Sequence, residues 1–288
     1  MFCSQPITHV IARRFSCRSY SDVAIEDKTR RRLEDFLAAL PASPFGATTR
    51  FALIAATEHD RSALRGLGTY GFIKGAAAFI VGAVRPAAMN LEDFGYLMEC
   101  AILLATDLGL GTCWLGGSFN KSNFAKKISA REDELVPAVA SVGYIADKRR
   151  WLDGFIRRSV GADNRLPWER LFFAKEFGVP LSREAAGVFA IPLEMVQLGP
   201  SASNGQPWRL VRDGDTWHFY LQRTKGYSNR SLLLHLADLQ RVDLGIAICH
   251  FELTTKEMGL EGEWEVNEPG IAKPDTLTEY IASWRVRI

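Results

Sequence analysis

The sequence predicts an α+β sandwich made of two related halves, and two matched pairs of segments support this prediction. Residues 93–114 and 243–264 share Asp, Gly, Leu and Trp at the same places when one is shifted by 150 positions (243 minus 93). Residues 41–50 and 200–209 share Pro, Gly and Arg at a shift of 159 positions (200 minus 41). Because both pairs occur in the same order, an internal duplication explains them better than chance.

The apolar patterns predict a long helix and several buried strands within this repeat. Residues 90–108 have the apolar spacing of a helix, whereas residues 79–84 form a short apolar run typical of a strand. Gly109 and Gly259 follow the two matched helical segments, where a glycine commonly ends a helix. We therefore expect two long helices to pack back to back between mixed sheets. Further strands are predicted at residues 51–55, 136–144, 210–212 and 216–222.

The repeat divides the chain into three predicted regions. Residues 1–150 form the first half, and residues 191–288 form a second, shorter half. Residues 151–190 connect the two halves and adjoin a basic cluster that begins at Lys148 and Arg149. A run of basic residues is most often a solvated surface, so this cluster alone predicts no partner.

Composition excludes several classes of function. The chain has 288 residues, with 35 Lys and Arg against 33 Asp and Glu. Its net charge of +2 does not indicate a nucleic-acid-binding surface. Five dispersed cysteines without a CxxC pair indicate free thiols in a reducing compartment. The N-terminus does not have the pattern of a signal peptide, and residues 75–84 and 100–105 are apolar runs too short to cross a bilayer. We therefore expect a cytoplasmic protein without a membrane or nucleic-acid partner.

A short basic motif near the N-terminus could bind a phosphate group. In an extended segment, Arg14, Ser16 and Arg18 project to one side because side chains alternate. Two guanidinium groups and a hydroxyl aimed at one point suit a phosphate dianion through charge-assisted hydrogen bonds. The Arg-x-Ser-x-Arg pattern is common by itself, and it gains weight only in combination with a second motif.

The second motif is the polar loop Pro-Ser-Ala-Ser-Asn-Gly-Gln-Pro-Trp at residues 200–208. Small polar residues beside a tight turn expose backbone N–H groups and hydroxyls that can contact a flat polar heterocycle. An Asn-Gly turn that enters a strand is the simpler interpretation of such a loop. The whole nine-residue pattern is much more specific than a generic turn.

These motifs together resemble the nitroreductase family of FMN-dependent enzymes, over nearly the whole chain. Residues 14–18 resemble the phosphate-binding motif, and residues 200–208 resemble the loop that reaches the flavin from the opposite subunit. Residues 108–117 resemble the segment beside the isoalloxazine ring, and residues 143–149 resemble the strand end that leads to a basic phosphate contact. The resemblance implies FMN contacts by Arg14, Ser16, Arg18, Tyr70, Lys74, Leu115, Gly116, Gly117, Lys148, Arg149, Pro200, Ser201, Ala202, Ser203 and Asn204.

The resemblance also implies how the two halves would share the flavin. Members of the family are usually intertwined homodimers with two equivalent sites, and this chain resembles a branch in which both subunits are fused. Residues 165–170 and 41–49 lack the motifs that a second site would need, and Glu261 and Glu263 replace Gly111 and Cys113. We therefore expect one FMN per chain, and a monomer, because the family's dimer interface is internal.

The expected activity is reduction of a small-molecule electron acceptor, such as a nitroaromatic or a quinone, at the expense of NADH or NADPH. No side chain is predicted to act as a nucleophile or general acid, and His250 is interpreted as a core histidine. Two alternatives stay open at this stage. Related scaffolds also support dehalogenation or flavin breakdown. A non-catalytic flavin- or nucleotide-binding module is the third possibility.

Overall fold

The computed structural model describes residues 2–146, 164–227 and 237–287. Within these ranges, two sheets and seven α-helices form the α+β arrangement that the sequence predicts. Lys148 and Arg149, two of the predicted phosphate contacts, lie outside the described residues. Among the helices that are described, none combines the length and the apolar character needed to cross a membrane.

The elements of the first half are α1 (Ile7–Arg13), α2 (Asp27–Ala38), β1 (Thr49–Ala55), β2 (Ala78–Val84), α3 (Asn90–Asp107), β3 (Gly111–Leu115), α4 (Lys121–Lys127) and β4 (Val139–Gly143). The four strands form an antiparallel sheet in the order β1-β2-β4-β3. The strand predicted at residues 136–144 begins later in the structure, because Pro137 has no backbone N–H to donate to a ladder.

The second half repeats this topology and adds one strand at the edge of its sheet. Its elements are β5 (Phe172–Ala174), α5 (Arg183–Ala186), α6 (Ala190–Gln197), β6 (Trp208–Asp213), β7 (Thr216–Gln222), α7 (Leu239–Glu257), β8 (Gly262–Glu265) and β9 (Thr278–Val286). The strand order is β5-β6-β7-β9-β8, in which β5 pairs parallel to β6 and the other pairs are antiparallel. Without β5, the order of the remaining four strands is the same as in the first sheet.

Strand β5 comes from the region that the sequence assigns to the connector. Its residues pair with Leu210, Val211 and Arg212 of β6, so the second sheet begins before residue 191. Trp168, in the turn before β5, is buried, and its Nε1 donates a hydrogen bond to the carbonyl oxygen of Leu181. The boundaries at residues 150 and 190 remain a prediction.

The two long helices, α3 and α7, cross at a pair of glycines. A Cβ atom on Gly95 would overlap the carbonyl oxygen of Val242, and a Cβ atom on Gly245 would overlap that of Glu92. Gly95 and Gly245 are 150 positions apart, and so are their partners Glu92 and Val242. The two contacts are therefore equivalent, and the two helices pack in a reciprocal, two-fold-like manner. Gly109 and Gly259 then end the helices at φ values of +81° and +71°, as predicted.

A buried aspartate near the start of each long helix holds a loop of the same half. The carboxylate of Asp93 accepts hydrogen bonds from the N–H groups of Phe45 and Ala47, at 3.0 and 2.7 Å. The carboxylate of Asp243 accepts from the N–H of Ala202, at 3.0 and 3.1 Å to its two oxygens. These loops are the second matched pair of the sequence, so the structure places related segments in related positions.

The halves differ mainly in the connections between their strands. Residues 56–77 connect β1 to β2, whereas Gly214 and Asp215 alone connect β6 to β7. The link from β7 to α7 is longer than the link from β2 to α3, so the second half regains some of the residues that it lacks between β6 and β7. These length changes explain why the two matched pairs have different shifts. The connection from β1 to β2 carries Tyr70 and Lys74, which therefore have no counterpart in the second half.

Candidate functional site

The predicted phosphate-binding segment is extended and lies between β3 and the long β1–β2 connection. Ser16 forms a parallel bridge with Thr112 of β3, and the N–H of Cys17 donates to the Thr112 carbonyl at 2.8 Å. On the other side, the N–H of Lys74 donates to the Arg18 carbonyl at 2.9 Å. The extended backbone makes Arg14, Ser16 and Arg18 alternate with residues of the opposite face, as the sequence predicts.

The environment of Arg18 fits a bound anion. Its Nη1 atom is buried and has no hydrogen-bond partner among the described residues. A buried guanidinium nitrogen without an acceptor costs about 1–3 kcal/mol or more, so such a group is normally explained by a bound ligand, ion or water. The neighbouring Arg14 has a side chain that is 5% exposed, and its Nε lies 3.7 Å from a carboxylate oxygen of Glu99. The residues present therefore fit the phosphate of FMN.

The segment after β3 meets the second half of the chain. Leu115 is buried, Gly117 is exposed, and the place where a Cβ atom of Gly116 would lie is filled by the side chain of Leu239. Gly116 therefore packs directly against the side chain of Leu239, the first residue of α7. The expectation that this glycine lets the backbone approach a flavin remains a prediction.

The loop at residues 200–204 has an unusual backbone. Ser203 and Asn204 adopt φ values of +51° and +55°, in the left-handed region that non-glycine residues rarely occupy. The side-chain oxygen of Asn204 accepts from Arg165 at 2.8 Å, and its amide nitrogen donates to the carbonyl of Asn164 at 2.8 Å. Asn204 thus supports the shape of the loop, and Ser203 at its tip is exposed.

Helix α7 brings the first-half and second-half parts of the site together. Leu239 contacts Gly116, and Asp243, one turn later, holds Ala202. Elements of both halves therefore meet at the start of this helix. Of the remaining predicted residues, Lys74 pairs with the phosphate-binding segment through its backbone, and Tyr70 lies in the same β1–β2 connection. Tyr70 is 69% exposed, Lys74 is also exposed, and Lys148 and Arg149 are among the residues that the structure does not describe.

Sequence reasoning missed one residue of this region, the fully buried Glu99 of α3. It contacts Arg14, Trp114 of β3 and His250 of α7. The signal in the sequence was an acidic residue inside an otherwise apolar stretch of the helix, Leu-Met-Glu-Cys-Ala-Ile-Leu-Leu. His250 is buried within this network, as its interpretation as a core histidine predicts.

Comparison with known proteins identifies the family. The sequence model of the family described as "Putative TM nitroreductase" matches residues 6–255, which is most of the chain. The chain belongs to this nitroreductase family. No curated protein sequence matches it.

A solved structure with the same fold covers the nitroreductase chain almost completely. It is a crystal structure described as a putative nitroreductase from Thermotoga maritima, with 19% identity, a TM-score of 0.60, and coverage of 98% of this chain and 94% of that one. An FMN-dependent nitroreductase from Clostridium difficile has 23% identity, with a TM-score of 0.40 and coverage of 51% and 92%. A nitroreductase with bound FMN from Bacteroides fragilis has 20% identity, a TM-score of 0.38 and coverage of 50% and 90%.

The aspartate that holds the polar loop of this nitroreductase should make stability depend on pH. Burial raises the pKa of Asp243 well above its usual value of 3.8, although the hydrogen bond from Ala202 opposes the shift. Between that value and the folded pKa, the unfolded state is ionised and the folded state keeps its proton. The free energy of unfolding therefore falls as pH rises through this window. Asp243→Asn keeps an acceptor oxygen and should gain stability relative to the wild type as pH rises.

Urea unfolding at about pH 4, 6 and 8 measures this difference, because each curve gives a free energy of unfolding. Asp215→Asn, at an exposed position in the β6–β7 turn, is the control. A constant difference between Asp243→Asn and the wild type across this range would contradict the prediction.

Proposed function

We propose that this chain is an FMN-dependent oxidoreductase with one flavin site built by both halves. The observation that carries the proposal is the buried Nη1 of Arg18, which has no partner among the described residues and lies on the extended segment with Arg14 and Ser16. Membership of the nitroreductase family supports the same conclusion. A phosphate dianion would give Arg18 the acceptor that the described residues do not supply.

The proposed site has a phosphate end and a ring end. Arg14, Ser16 and Arg18 would bind the phosphate, with Lys148 or Arg149 as a further cation. The backbone of residues 115–117 would lie beside the ring. The loop from the second half, with Pro200, Ser201, Ala202, Ser203 and Asn204, would close the site from the other side, and Tyr70 and Lys74 would border it.

Bound FMN would supply the hydride-transfer chemistry, and the chain would supply binding, orientation and exclusion of water. NADH or NADPH is the proposed donor, and a nitroaromatic, quinone or related small molecule is the proposed acceptor. The proposed mechanism requires no nucleophilic side chain, because the flavin would carry the hydride. The cations at residues 14 and 18 would hold the phosphate while donor and acceptor exchange at the open side of the site.

The second half would not hold another flavin, because aromatic packing and ion pairs occupy the corresponding region. The ring of Phe45, in the first-half loop, lies 6.1 Å from the ring of Trp264 in β8. Glu263 of β8 forms an ion pair with Arg287, at 2.9 Å, where the first half has Cys113. The position that corresponds to Gly116 is Val266, which is 58% exposed. These differences favour a single site per chain.

The visible spectrum and the flavin content of the purified chain test this proposal. We expect a yellow protein, before or after addition of FMN, that releases about one FMN per chain and oxidises NADH or NADPH when an acceptor is present. Two FMN per chain would contradict the single-site assignment. Protein that binds flavin but oxidises neither nucleotide would support a binding module, and protein that cannot be loaded would overturn the function altogether.

The arrangement of the halves also bears on assembly and location. Because α3 and α7 pack on each other within one chain, we propose that the pair replaces the subunit interface of a dimer and that the protein is monomeric. We further propose that it is cytoplasmic. Sedimentation or light scattering of the purified chain measures its oligomeric state.

A further inference from the structure

Glu99 lies in the middle of α3 and is fully buried. One carboxylate oxygen accepts a hydrogen bond from Nε1 of Trp114 at 2.7 Å, and the other lies 3.0 Å from Nε2 of His250. The Nδ1 of that histidine lies 2.8 Å from the carbonyl oxygen of Met195, which can only accept. The Nε of Arg14 is 3.7 Å from the same oxygen that faces His250. Glu99 therefore joins both halves and two segments of the proposed site.

The cationic and N–H groups around Glu99 favour its ionised form. Burial raises its pKa, but the hydrogen bond from His250 and the positive charge of Arg14 outweigh that effect and hold the pKa below its usual value. At 3.7 Å, the Nε of Arg14 and the carboxylate of Glu99 form an ion pair, and this arginine belongs to the same segment as Ser16 and Arg18.

The second half lacks this arrangement. The residue related to Glu99 by the 150-position shift is Cys249, and the residue related to Trp114 is Trp264. The Nε1 atom of Trp264 is buried without a hydrogen-bond partner among the described residues, whereas Nε1 of Trp114 has its carboxylate. The carboxylate is thus present only on the side of the chain that carries the Arg-x-Ser-x-Arg motif.

We propose that Glu99 is a positioning residue that holds Arg14 and Trp114 in place for FMN. This inference rests on the proposed function and goes beyond it, because Glu99 itself would touch neither the phosphate nor the ring. Through Arg14 it would orient the phosphate end of the site. Through Trp114 it would fix the end of β3, which leads directly into residues 115–117.

The consequence of losing Glu99 follows from the burial of Arg14. Removing an anion from beside a buried cation is unfavourable, whereas a change of rotamer costs only about 1 kcal/mol. Without the carboxylate, the guanidinium of Arg14 loses this anionic neighbour and should no longer be held in one position at the phosphate site. Loss of the negative charge would by itself favour phosphate binding, but it cannot compensate if the arginine is no longer in place.

Titration of the flavin-free protein with FMN and with riboflavin, followed by flavin fluorescence, tests this role. Riboflavin lacks the phosphate, so it separates the two ends of the site. We expect Glu99→Gln to weaken FMN binding roughly tenfold and to change riboflavin binding much less, because the amide oxygen can still accept from Trp114 while the charge beside Arg14 is lost. Glu99→Asp keeps the charge but withdraws it by one methylene, so it should fold more readily and show a smaller loss of the same kind. In the double variant with Arg14→Gln, Glu99→Gln should add no further loss.

Asp93→Asn is the matched control, because Asp93 is a buried acid of the same helix that holds the first-half loop instead. It should leave the ratio of FMN affinity to riboflavin affinity unchanged. Equal weakening of both flavins by Glu99→Gln, unchanged binding, or tighter FMN binding would overturn the positioning role. A wild-type chain that binds neither flavin would instead overturn the proposed function on which this role depends.

Discussion

Replacing Gly245 with alanine should destabilise the protein by about 3 kcal/mol or more, because the new methyl group has no space. A Cβ atom at this position would overlap the backbone carbonyl oxygen of Glu92 and come close to the N–H of Tyr96. Neither backbone group can move aside like a flexible side chain, so α3 and α7 would have to separate. Gly95→Ala should have a similar effect, because its Cβ would meet the carbonyl of Val242.

The free energy of urea unfolding measures both effects. Gly68→Ala is the control, because Gly68 has no positive φ and nothing lies within 4 Å of an added Cβ atom. The control should stay within about 0.5 kcal/mol of the wild type. Wild-type stability in Gly245→Ala would show that the two helices are not packed as closely as the structure places them.

Removal of the Arg18 side chain should weaken FMN binding by roughly 10- to 100-fold, which corresponds to the loss of charge-assisted hydrogen bonds worth about 1.5–3 kcal/mol. The reason is that the buried Nη1 of Arg18 has no acceptor among the described residues and so depends on the ligand for one. Because Arg18 would contact only the phosphate, Arg18→Ala should leave riboflavin binding nearly unchanged. Fluorescence titration with both flavins measures the difference.

Arg13→Ala provides the control for Arg18→Ala. Arg13 is exposed, lies in the last turn of α1 and donates a hydrogen bond to the side-chain oxygen of Gln5 at 2.8 Å. It carries the same charge near the same segment without belonging to the alternating face. If both variants lost FMN to the same extent, the effect would come from general positive charge, and the assignment of Arg18 to the phosphate would be wrong.

The sequence predicted the repeated elements well because their local signals were strong. Residues 79–84 form an uninterrupted apolar run, and the structure has β2 at Ala78–Val84. The long helix predicted at residues 90–108 is α3, at Asn90–Asp107. By contrast, β5 is only three residues long and is stabilised by pairing with β6 across a distance in sequence. No local pattern distinguishes such a strand from a loop.

The common face of Arg14, Ser16 and Arg18 was predicted on the condition that the segment is extended, whereas the network of Glu99 was not predicted at all. Its partner His250 is 151 positions away in the sequence, so only the packing of the two long helices brings them together. The shift of 150 positions aligns His250 with Cys100 and Glu99 with Cys249, which would have placed all four near the same contact. That alignment predicts that the four residues lie close together, but it does not predict the hydrogen bonds of Glu99.

The unequal pair Glu99 and Cys249 shows what two matched halves within one chain make possible. In a dimer of identical chains, any residue near the two-fold axis occurs twice, so a buried glutamate there would face its own copy. Two like charges close together in a medium of low polarity repel strongly, and one of them would have to take up a proton. Burial raises the pKa of the Cys249 thiol well above its usual value, and the neighbouring Cys100 and the charge of Glu99 add to this effect. A single chain can place the carboxylate on one side and the neutral thiol on the other, which symmetry would forbid.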